Sequence, residues 1–235
     1  MKYSLIIPLK NEEDNVIPLI EEITQVMQLL GEVWEVICVN DGSNDQTLER
    51  LELIKKQTPY LQIISFVKNF GQSAAFKAGF EAAHGKILIS MDGDGQNDPN
   101  DIPKLLKELD HYDMIVGWRK DRNDPWFKKI SSKAAKIVRQ KICKDSFPDI
   151  NCSLKVFRKD VYNKIKIYQG MHRFIPLLFE IEGARVKQIP VNHRPRTRGK
   201  SNYHIFNRFL SPIIDMLAVR WMKKRAIHYK IKEQV

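Results

Sequence analysis

The sequence predicts an α/β fold built on a mostly parallel central sheet with helices on both faces. Three observations predict it. Short apolar, β-rich runs alternate with helical-period segments through the first 116 residues. The connections between them are short enough for a compact unit, the βαβ rhythm of a parallel sheet. Polar clusters follow the strand patterns, where open α/β sheets bind ligands. The 235 residues suffice for one large domain of this kind and not for two.

Tyr3–Leu9 (YSLIIPL) reads as the first strand. Glu12–Leu30 is a helix, with apolar residues at Val16, Leu19, Ile20, Ile23, Val26, Met27 and Leu30. Glu35–Val39 is the second strand. Asp45–Lys56 is a helix with Leu48, Leu51 and Ile54 on one face. Gln62–Phe66 is a strand, Gln72–Ala83 a helix, and Lys86–Met91 a buried strand ending at Asp92. Pro99–Leu109 reads as a helix opened by a first-turn proline after Asp98 as cap. Asp113–Val116 is a further strand. Beyond it the pattern is less regular. Trp126–Ile142 is a lysine-rich helix, and Leu154–Phe157 and Val186–Pro190 are strands. A final helix starts at Ser211–Pro212, after one ending near Leu210. On a helical wheel Phe206, Phe209, Leu210, Ile213, Ile214, Leu217 and Trp221 share a face, and Arg208, Ser211 and Asp215 take the other.

Composition is that of an ordinary globular protein, 43% apolar and 29% charged, which excludes disordered and collagen-like classes. Cys38, Cys143 and Cys152 are odd in number and widely spaced, with neither a disulfide framework nor zinc spacing. A reducing compartment and packing roles are expected for them. Met1–Leu9 lacks the basic region of a secretory signal. Ile205–Trp221 carries Arg208, Asp215 and Arg220, whereas a membrane span needs about 20 apolar residues.

The net charge of +11 is distributed unevenly. Residues 1–184 hold 26 basic and 26 acidic residues, whereas residues 185–235 hold 13 basic residues against Asp215 and Glu233. A basic block of this kind attracts nucleic acid, anionic lipid or phosphorylated ligands. A nucleic-acid binder leaves the acidic strand ends unexplained, so no nucleic-acid partner is expected.

Those strand ends carry the chemistry. After the first strand stand Pro8, Asn11 and Glu12; after the second, Asn40-Asp41-Gly42-Ser43; after the fourth, Asp92-Gly93-Asp94-Gly95-Gln96. Asp92 and Asp94, two residues apart at a strand end, suit Mg²⁺ or Mn²⁺, hard ions that keep positions open for phosphates. Gly93 and Gly95 let backbone approach a ligand closely.

Seven strings in order from residue 6 to 203, IIPLKNEEDN, VNDGSNDQT, NFGQSAAFKAGFEAA, MDGDGQNDP, VGWRKDR, DINCSLKVFRKD and RPRTRGKSNY, resemble glycosyltransferase family 2. Within that family, DGDGQ together with RxxGxS and a long amphipathic end resembles the polyprenyl-phosphate, dolichyl-phosphate-mannose-synthase-like branch. The resemblance implies the GT-A fold over residues 1–203, with a basic amphipathic segment over 204–235. It implies an inverting, metal-dependent transfer from a UDP- or GDP-linked sugar to a polyprenyl phosphate, the alternative being a family 2 transferase acting on a hydroxyl of a glycan, lipid A or protein.

By the same resemblance Pro8, Asn11, Glu12 and Asp41 line the nucleoside side of the donor site. Asp92 and Asp94 are the metal and diphosphate pair, and Gln96 a neighbouring donor contact. Arg119 meets donor phosphate or sugar. Lys128 and Ser132 grip the acceptor phosphate, with Lys129 as the alternative to Lys128. Arg196, Gly199 and Ser201 form a late loop over phosphates. Asn202 stands where the branch usually has lysine, leaving Lys200 or Arg198 to supply that charge. The branch often carries C-terminal transmembrane helices. Here an amphipathic helix around Ile205–Arg225 is expected instead in the headgroup plane, with Lys223, Lys224 and Arg225 on anionic lipid, on the cytoplasmic face. The alternative is that this face packs on the domain itself or on a partner chain, a separate membrane-anchor protein or a second copy in a homo-oligomer.

Overall fold

The structure, a computed structural model, describes residues 1–119, 126–196, 210–227, 229 and 233; the side chains of 126–131, 210 and 211 are not included in the description. In chain order the elements are β1 (Tyr3–Leu9), α1 (Glu13–Leu29), β2 (Trp34–Asn40), α2 (Thr47–Lys55), β3 (Leu61–Ser65), α3 (Gln72–Ala82), β4 (Ile87–Ser90), α4 (Ile102–Lys107), β5 (Met114–Arg119), α5 (Trp126–Cys143), β6 (Lys155–Arg158), α6 (Lys159–Tyr162), α7 (Ile175–Ile181), β7 (Val186–Val191) and α8 (Leu210–Arg225). The expected helix over Pro99–Leu109 is three consecutive turns: a 3₁₀ turn at Pro99–Asp101, α4, and a 3₁₀ turn at Glu108–Asp110. Asp98 caps it, its carboxylate accepting from the Asn100 N–H at 3.0 Å. The helix expected to end near Leu210 lies outside the described residues.

Seven strands form one sheet in the order β3-β2-β1-β4-β6-β5-β7. All neighbours are parallel except β6, which runs antiparallel to both β4 and β5. Each central strand is apolar on both faces, as a doubly covered sheet requires. In β1, Leu5, Ile7 and Leu9 pack under Val16, Leu19, Ile20 and Ile23 of α1. Ile6 points the other way, with Phe76 and Phe80 of α3 and Leu178 and Phe179 of α7 in the same core. The period-2 alternation thus feeds two separate cores from one strand.

The antiparallel strand decides where the site's second half comes from. Ser90 of β4 and Val116 of β5 both sit beside Lys155, the first residue of β6. The N-terminal end of β6 therefore lies at the edge where β4 and β5 end, and the loop before it reaches Asp92 and Arg119. Parallel β7 ends at that edge too, and the segment after it runs back over the β4 loop, pairing His193 with Asn97.

A third core holds α8 against the domain, through Cys143, Phe147, Leu177, Met216 and Val219. Arg220 donates from Nη1 to the Ile142 carbonyl at 2.7 Å, closing the end of α5. The docking face of α8 is thus Met216 and Val219. Of the face marked apolar by the wheel, Ile213, Ile214, Leu217 and Trp221 point outward, 43–64% exposed, while Phe206, Phe209 and the Leu210 side chain lie outside the described residues. Among the described residues no helix is long and apolar enough to cross a membrane. The three cysteines are buried and unbridged.

Candidate active site

Four acidic side chains stand at the C-terminal edge of the sheet, delivered by the ends of three strands, β1, β2 and β4, and fixed by local hydrogen bonds. Pro8, in β1, lies beside Val39 of β2. Asn11 takes a positive φ of 54°, uncommon outside glycine. Its N–H donates to Ser43 Oγ and its Oδ1 accepts from the Asn44 N–H, both at 2.9 Å, tying the β1 loop to the β2 loop. Glu12 is buried; its Oε2 accepts from Asn15 Nδ2 at 2.7 Å and its N–H donates to Thr47 Oγ1. Burial raises its carboxyl above the usual range, opposed by Asn15 and by Arg196. Asp41 accepts from the backbone N–H groups of Phe70 at 2.7 Å and Gly71 at 2.9 Å, which ties the loop before α3 to the end of β2. Gly42 has φ 61°, and a Cβ there would collide with the Lys68–Asn69 backbone. The close approach of these two loops therefore requires glycine.

Asp92 follows β4 directly. Gln72, opening α3, donates from Nε2 to its Oδ1 at 2.7 Å. Asp94 Oδ1 accepts from the Gln96 N–H at 3.1 Å, and the Gln96 amide reaches the Arg194 carbonyl at 3.4 Å. Gly93 lies against Pro8 and Leu9, where a Cβ would strike the Leu9 side chain. Burial first, and then the charge of Asp94, raises the Asp92 carboxyl above its ordinary value. Two carboxylates this close repel, and a cation between them would relieve it. Among the described residues no group of three or more His, Cys, Asp or Glu side chains is arranged to hold an ion. Two adjacent carboxylates are oxygen ligands of the kind a hard divalent ion takes when phosphate oxygens and water complete its shell.

The basic groups come from the second half of the chain. Arg119, at the end of β5, is held by Asp149: Nε to Oδ2 at 2.7 Å, Nη2 to Oδ1 at 3.0 Å, and Arg119 N–H to Oδ2 at 3.3 Å. Burial alone would lower the guanidinium, but the Asp149 fork outweighs it and holds Arg119 firmly charged, with Asp92 a further attraction. Lys155 is buried beside the same groups and donates to the Cys152 carbonyl. Burial pushes its ammonium down, and the charges of Asp92 and Asp149 oppose the shift. Arg196 reaches back across the edge, Nη2 to Glu12 Oε1 at 2.6 Å and Nη1 to Asp94 Oδ2 at 3.8 Å.

Pro8, Asn11, Glu12, Asp41, Asp92, Asp94, Gln96, Arg119 and Arg196 thus belong to one edge, linked by these contacts. Arg196, expected in a late loop over phosphates, pairs with Glu12 and stands 3.8 Å from Asp94. Ser132 is exposed on α5. Lys128 and Lys129 lie in α5, but their side chains are outside the described residues, as are Arg198, Gly199, Lys200, Ser201 and Asn202 entirely. Sequence reasoning missed Gln72, Asp149, Lys155 and Arg194. Gln72 and Asp149 stand inside strings already singled out, NFGQSAAF and DINCSLKVF; neither string shows that its polar residue turns toward Asp92 or Arg119. Ser73 was missed likewise. Its Oγ lies 2.6 Å from His172 Nδ1 and accepts from the Gly170 N–H, pinning the start of α3 to the loop before α7. Burial, with Arg173 and Lys155, pushes His172 down to about 3, so it is neutral at physiological pH.

The family model described as glycosyl transferase family 2 matches residues 4–166. A relative named dodecaprenyl-phosphate galacturonate synthase, from Rhizobium johnstonii (strain DSM 114642 / LMG 32736 / 3841), is 37% identical over 230 residues, covering 95% of this chain and 68% of its own length. Two solved structures share the fold. A mannosyltransferase from Pyrobaculum calidifontis, in complex with GDP-Man and Mn²⁺, superposes with a TM-score of 0.64 at 15% identity, over 85% of this chain and 58% of that one. Glucosyl-3-phosphoglycerate synthase from Mycobacterium tuberculosis, in complex with Mn²⁺ and UDP-glucose, gives 0.62 at 16% identity, over 92% and 75%. The strand-end carboxylates thus stand on a GT-A scaffold, and the chain belongs to glycosyl transferase family 2.

Proposed function

We propose that this chain transfers a sugar from a UDP- or GDP-linked donor to a polyprenyl phosphate at a membrane surface, inverting the anomeric centre, with Asp92 and Asp94 holding Mg²⁺ or Mn²⁺. The observation that carries the reading is the meeting of Glu12, Asp41, Asp92 and Asp94 at one sheet edge, with Arg196 turned onto Glu12 and Asp94 and Arg119 held charged near Asp92. Identity to a relative named for a polyprenyl-phosphate sugar product, along nearly the whole chain, supports the acceptor.

In this reading Glu12 and Asp41 receive the nucleoside. Asp41 is steadied by two backbone N–H groups and needs no rearrangement to accept from a base or ribose. An ion on Asp92 and Asp94 supplies charge neutralisation to the departing nucleoside diphosphate. Arg119, with one face of its guanidinium locked by Asp149, presents a fixed positive edge beside Asp92. Lys128, or Lys129, and Ser132 on α5 receive the acceptor phosphate. A phosphate monoester oxygen is anionic at neutral pH, so it attacks C1 as the bond from C1 to the leaving diphosphate breaks, with no proton to remove. A hydroxyl acceptor would demand a carboxylate base. The outward face of α8, with Lys224 and Arg225 exposed nearby, is the surface we assign to the bilayer, on the cytoplasmic side.

The test is incubation with radiolabelled nucleotide sugars, Mn²⁺ and undecaprenyl phosphate in detergent or vesicles. Label should appear in a lipid-phosphate-linked product. Transfer confined to glycan, lipid A or protein hydroxyls, with none to the lipid phosphate, refutes the acceptor assignment.

A further inference from the structure

The segment after β7 is built as an anchored strap with a charged tip. Its base is fastened to the β4 loop: the Asn192 N–H donates to Asp101 Oδ2 at 2.6 Å, His193 pairs with Asn97, and the Arg194 N–H donates to the Gln96 carbonyl at 2.9 Å. The Arg194 side chain forks onto Glu22 at 2.6 and 2.9 Å and onto Asp98 at 2.7 Å. Arg196 stands two residues on, and its fork is divided between Glu12 at 2.6 Å and Asp94 at 3.8 Å. Asn192, His193 and Arg194 thus fasten the strap on their own side of Arg196. With the strap held there, the Arg196 guanidinium can shift between the two carboxylates and a nearby anion by rotating about its own side-chain bonds.

We propose that Arg196 is a counter-charge gate: its guanidinium competes with a divalent ion for Asp94 and passes to the phosphates of an incoming nucleotide, so that ion and nucleotide bind far better together than apart. The inference rests on the metal reading above and adds to it the order and coupling of binding. An ion arriving alone meets a cation already beside Asp94, and expelling that cation takes one carboxylate partner from the guanidinium. A nucleotide arriving alone brings its phosphates against Glu12, Asp92 and Asp94. When both arrive, the ion takes the aspartates, and the phosphate oxygens offer the displaced guanidinium a planar two-point partner. Coupling of this kind is reciprocal: whatever the nucleotide adds to ion affinity, the ion adds to nucleotide affinity.

Mn²⁺ binding, followed by the electron paramagnetic resonance signal of the free ion, tests this without any turnover. Wild type, Arg196→Gln and Arg196→Lys are titrated with Mn²⁺ alone and with Mn²⁺ plus inorganic pyrophosphate, corrected for ion held by free pyrophosphate. Arg196→Gln should bind Mn²⁺ alone about tenfold more tightly than wild type, while the gain from pyrophosphate falls from about tenfold or more to about threefold or less. Arg196→Lys keeps the charge without the fork and should hold Mn²⁺ alone weakly, as wild type does. Unchanged or weaker affinity of Arg196→Gln for Mn²⁺ alone overturns the gate, as does an undiminished pyrophosphate gain. Asp94→Asn separates the two levels. If it leaves Mn²⁺ binding untouched, the metal reading falls and the gate with it; if it abolishes binding while Arg196→Gln behaves as wild type, the gate alone falls.

Discussion

Replacing Asp149 tests whether the site's second half is held by a single buried ion pair. The Asp149 carboxylate accepts from Arg119 three times, at 2.7, 3.0 and 3.3 Å, and from the Asn151 N–H at 3.2 Å. The two side chains are only 10% and 15% exposed, so little water can replace the lost partner. Removing one member of such a pair strands the other charge and costs about 3–5 kcal/mol. Asp149→Ala should lose stability in that range. Asp149→Asn keeps one accepting oxygen and a similar shape, and should lose about half as much. The freed guanidinium keeps Asp92 as a remaining carboxylate attraction. Sugar transfer should therefore fall further than stability does, and still be depressed well below the melting temperature. Urea unfolding monitored by circular dichroism gives the first quantity, and initial transfer rates at 15–20 °C below the midpoint, roughly, give the second. A loss under about 1 kcal/mol for Asp149→Ala would show that Arg119 is solvated and that its fork is not what fixes the edge.

Asp94→Asn should cut metal-dependent transfer by about a hundredfold or more. In EDTA it should leave unfolding unchanged or slightly stabilised, by up to about 1 kcal/mol, because a like charge beside Asp92 is gone. At the opposite end of the sheet, Glu35 is buried and accepts from Ser4 Oγ at 2.5 Å, Gln62 Nε2 at 2.6 Å and the His84 N–H at 2.7 Å. Burial would raise its carboxyl, but the hydrogen bonds from Ser4 and His84 outweigh it and hold it below the usual glutamate range. Its stabilisation is thus complete above the ordinary glutamate value and lost as pH falls through the lowered one. Urea unfolding should show Glu35→Gln less stable than wild type by about 1–3 kcal/mol at pH 7, the gap closing in acid. A gap independent of pH refutes the ionised network. The double variant Ile214→Ser, Trp221→Ser should lower co-sedimentation with anionic vesicles by about tenfold or more. Both side chains are over 60% exposed, so the melting temperature should hold.

The first half of the fold was readable because each strand and helix there has its own period. All fourteen boundaries of the seven elements from Tyr3 to Ser90 fall within two residues of those expected, and the acidic strand ends announce themselves by lying just past apolar runs. Helix α7 was not readable: IPLLFEI is apolar almost throughout, and a short, fully buried run carries no period to distinguish helix from strand. The direction of β6 was equally silent. Leu154–Phe157 marks a strand, but nothing in four residues says that it enters the sheet antiparallel, and that reversal is what carries Asp149 to Arg119. On α8 the wheel found the right apolar stripe. It could not tell that Met216 and Val219, off that stripe, do the docking while the stripe itself stays outside.

The division of charge in the sequence has a structural counterpart at the site. The carboxylates Glu12, Asp41, Asp92 and Asp94 all come from the βα half, residues 1–116, which holds 19 acidic residues against 10 basic ones. The cations set against them, Arg119, Lys155, Arg194 and Arg196, come from β5, β6 and the strap after β7. A sheet edge with four carboxylates is a poor receptor for a diphosphate and a second phosphate, since each brings more negative charge to it. Antiparallel β6 and the returning strap solve that problem by topology, because both bring later, more basic chain to the edge that the parallel strands had made acidic. On this view the basic excess of residues 185–235 is not spread evenly over function. Arg194 is committed to Glu22 and Asp98 and fastens the strap, whereas Arg196, with its fork split between two carboxylates of the edge, is the charge that can be reassigned when phosphate arrives. Arg194→Gln should accordingly loosen the strap and weaken every Arg196-dependent effect together, whereas Arg196→Gln should alter ion and phosphate binding with little change in stability.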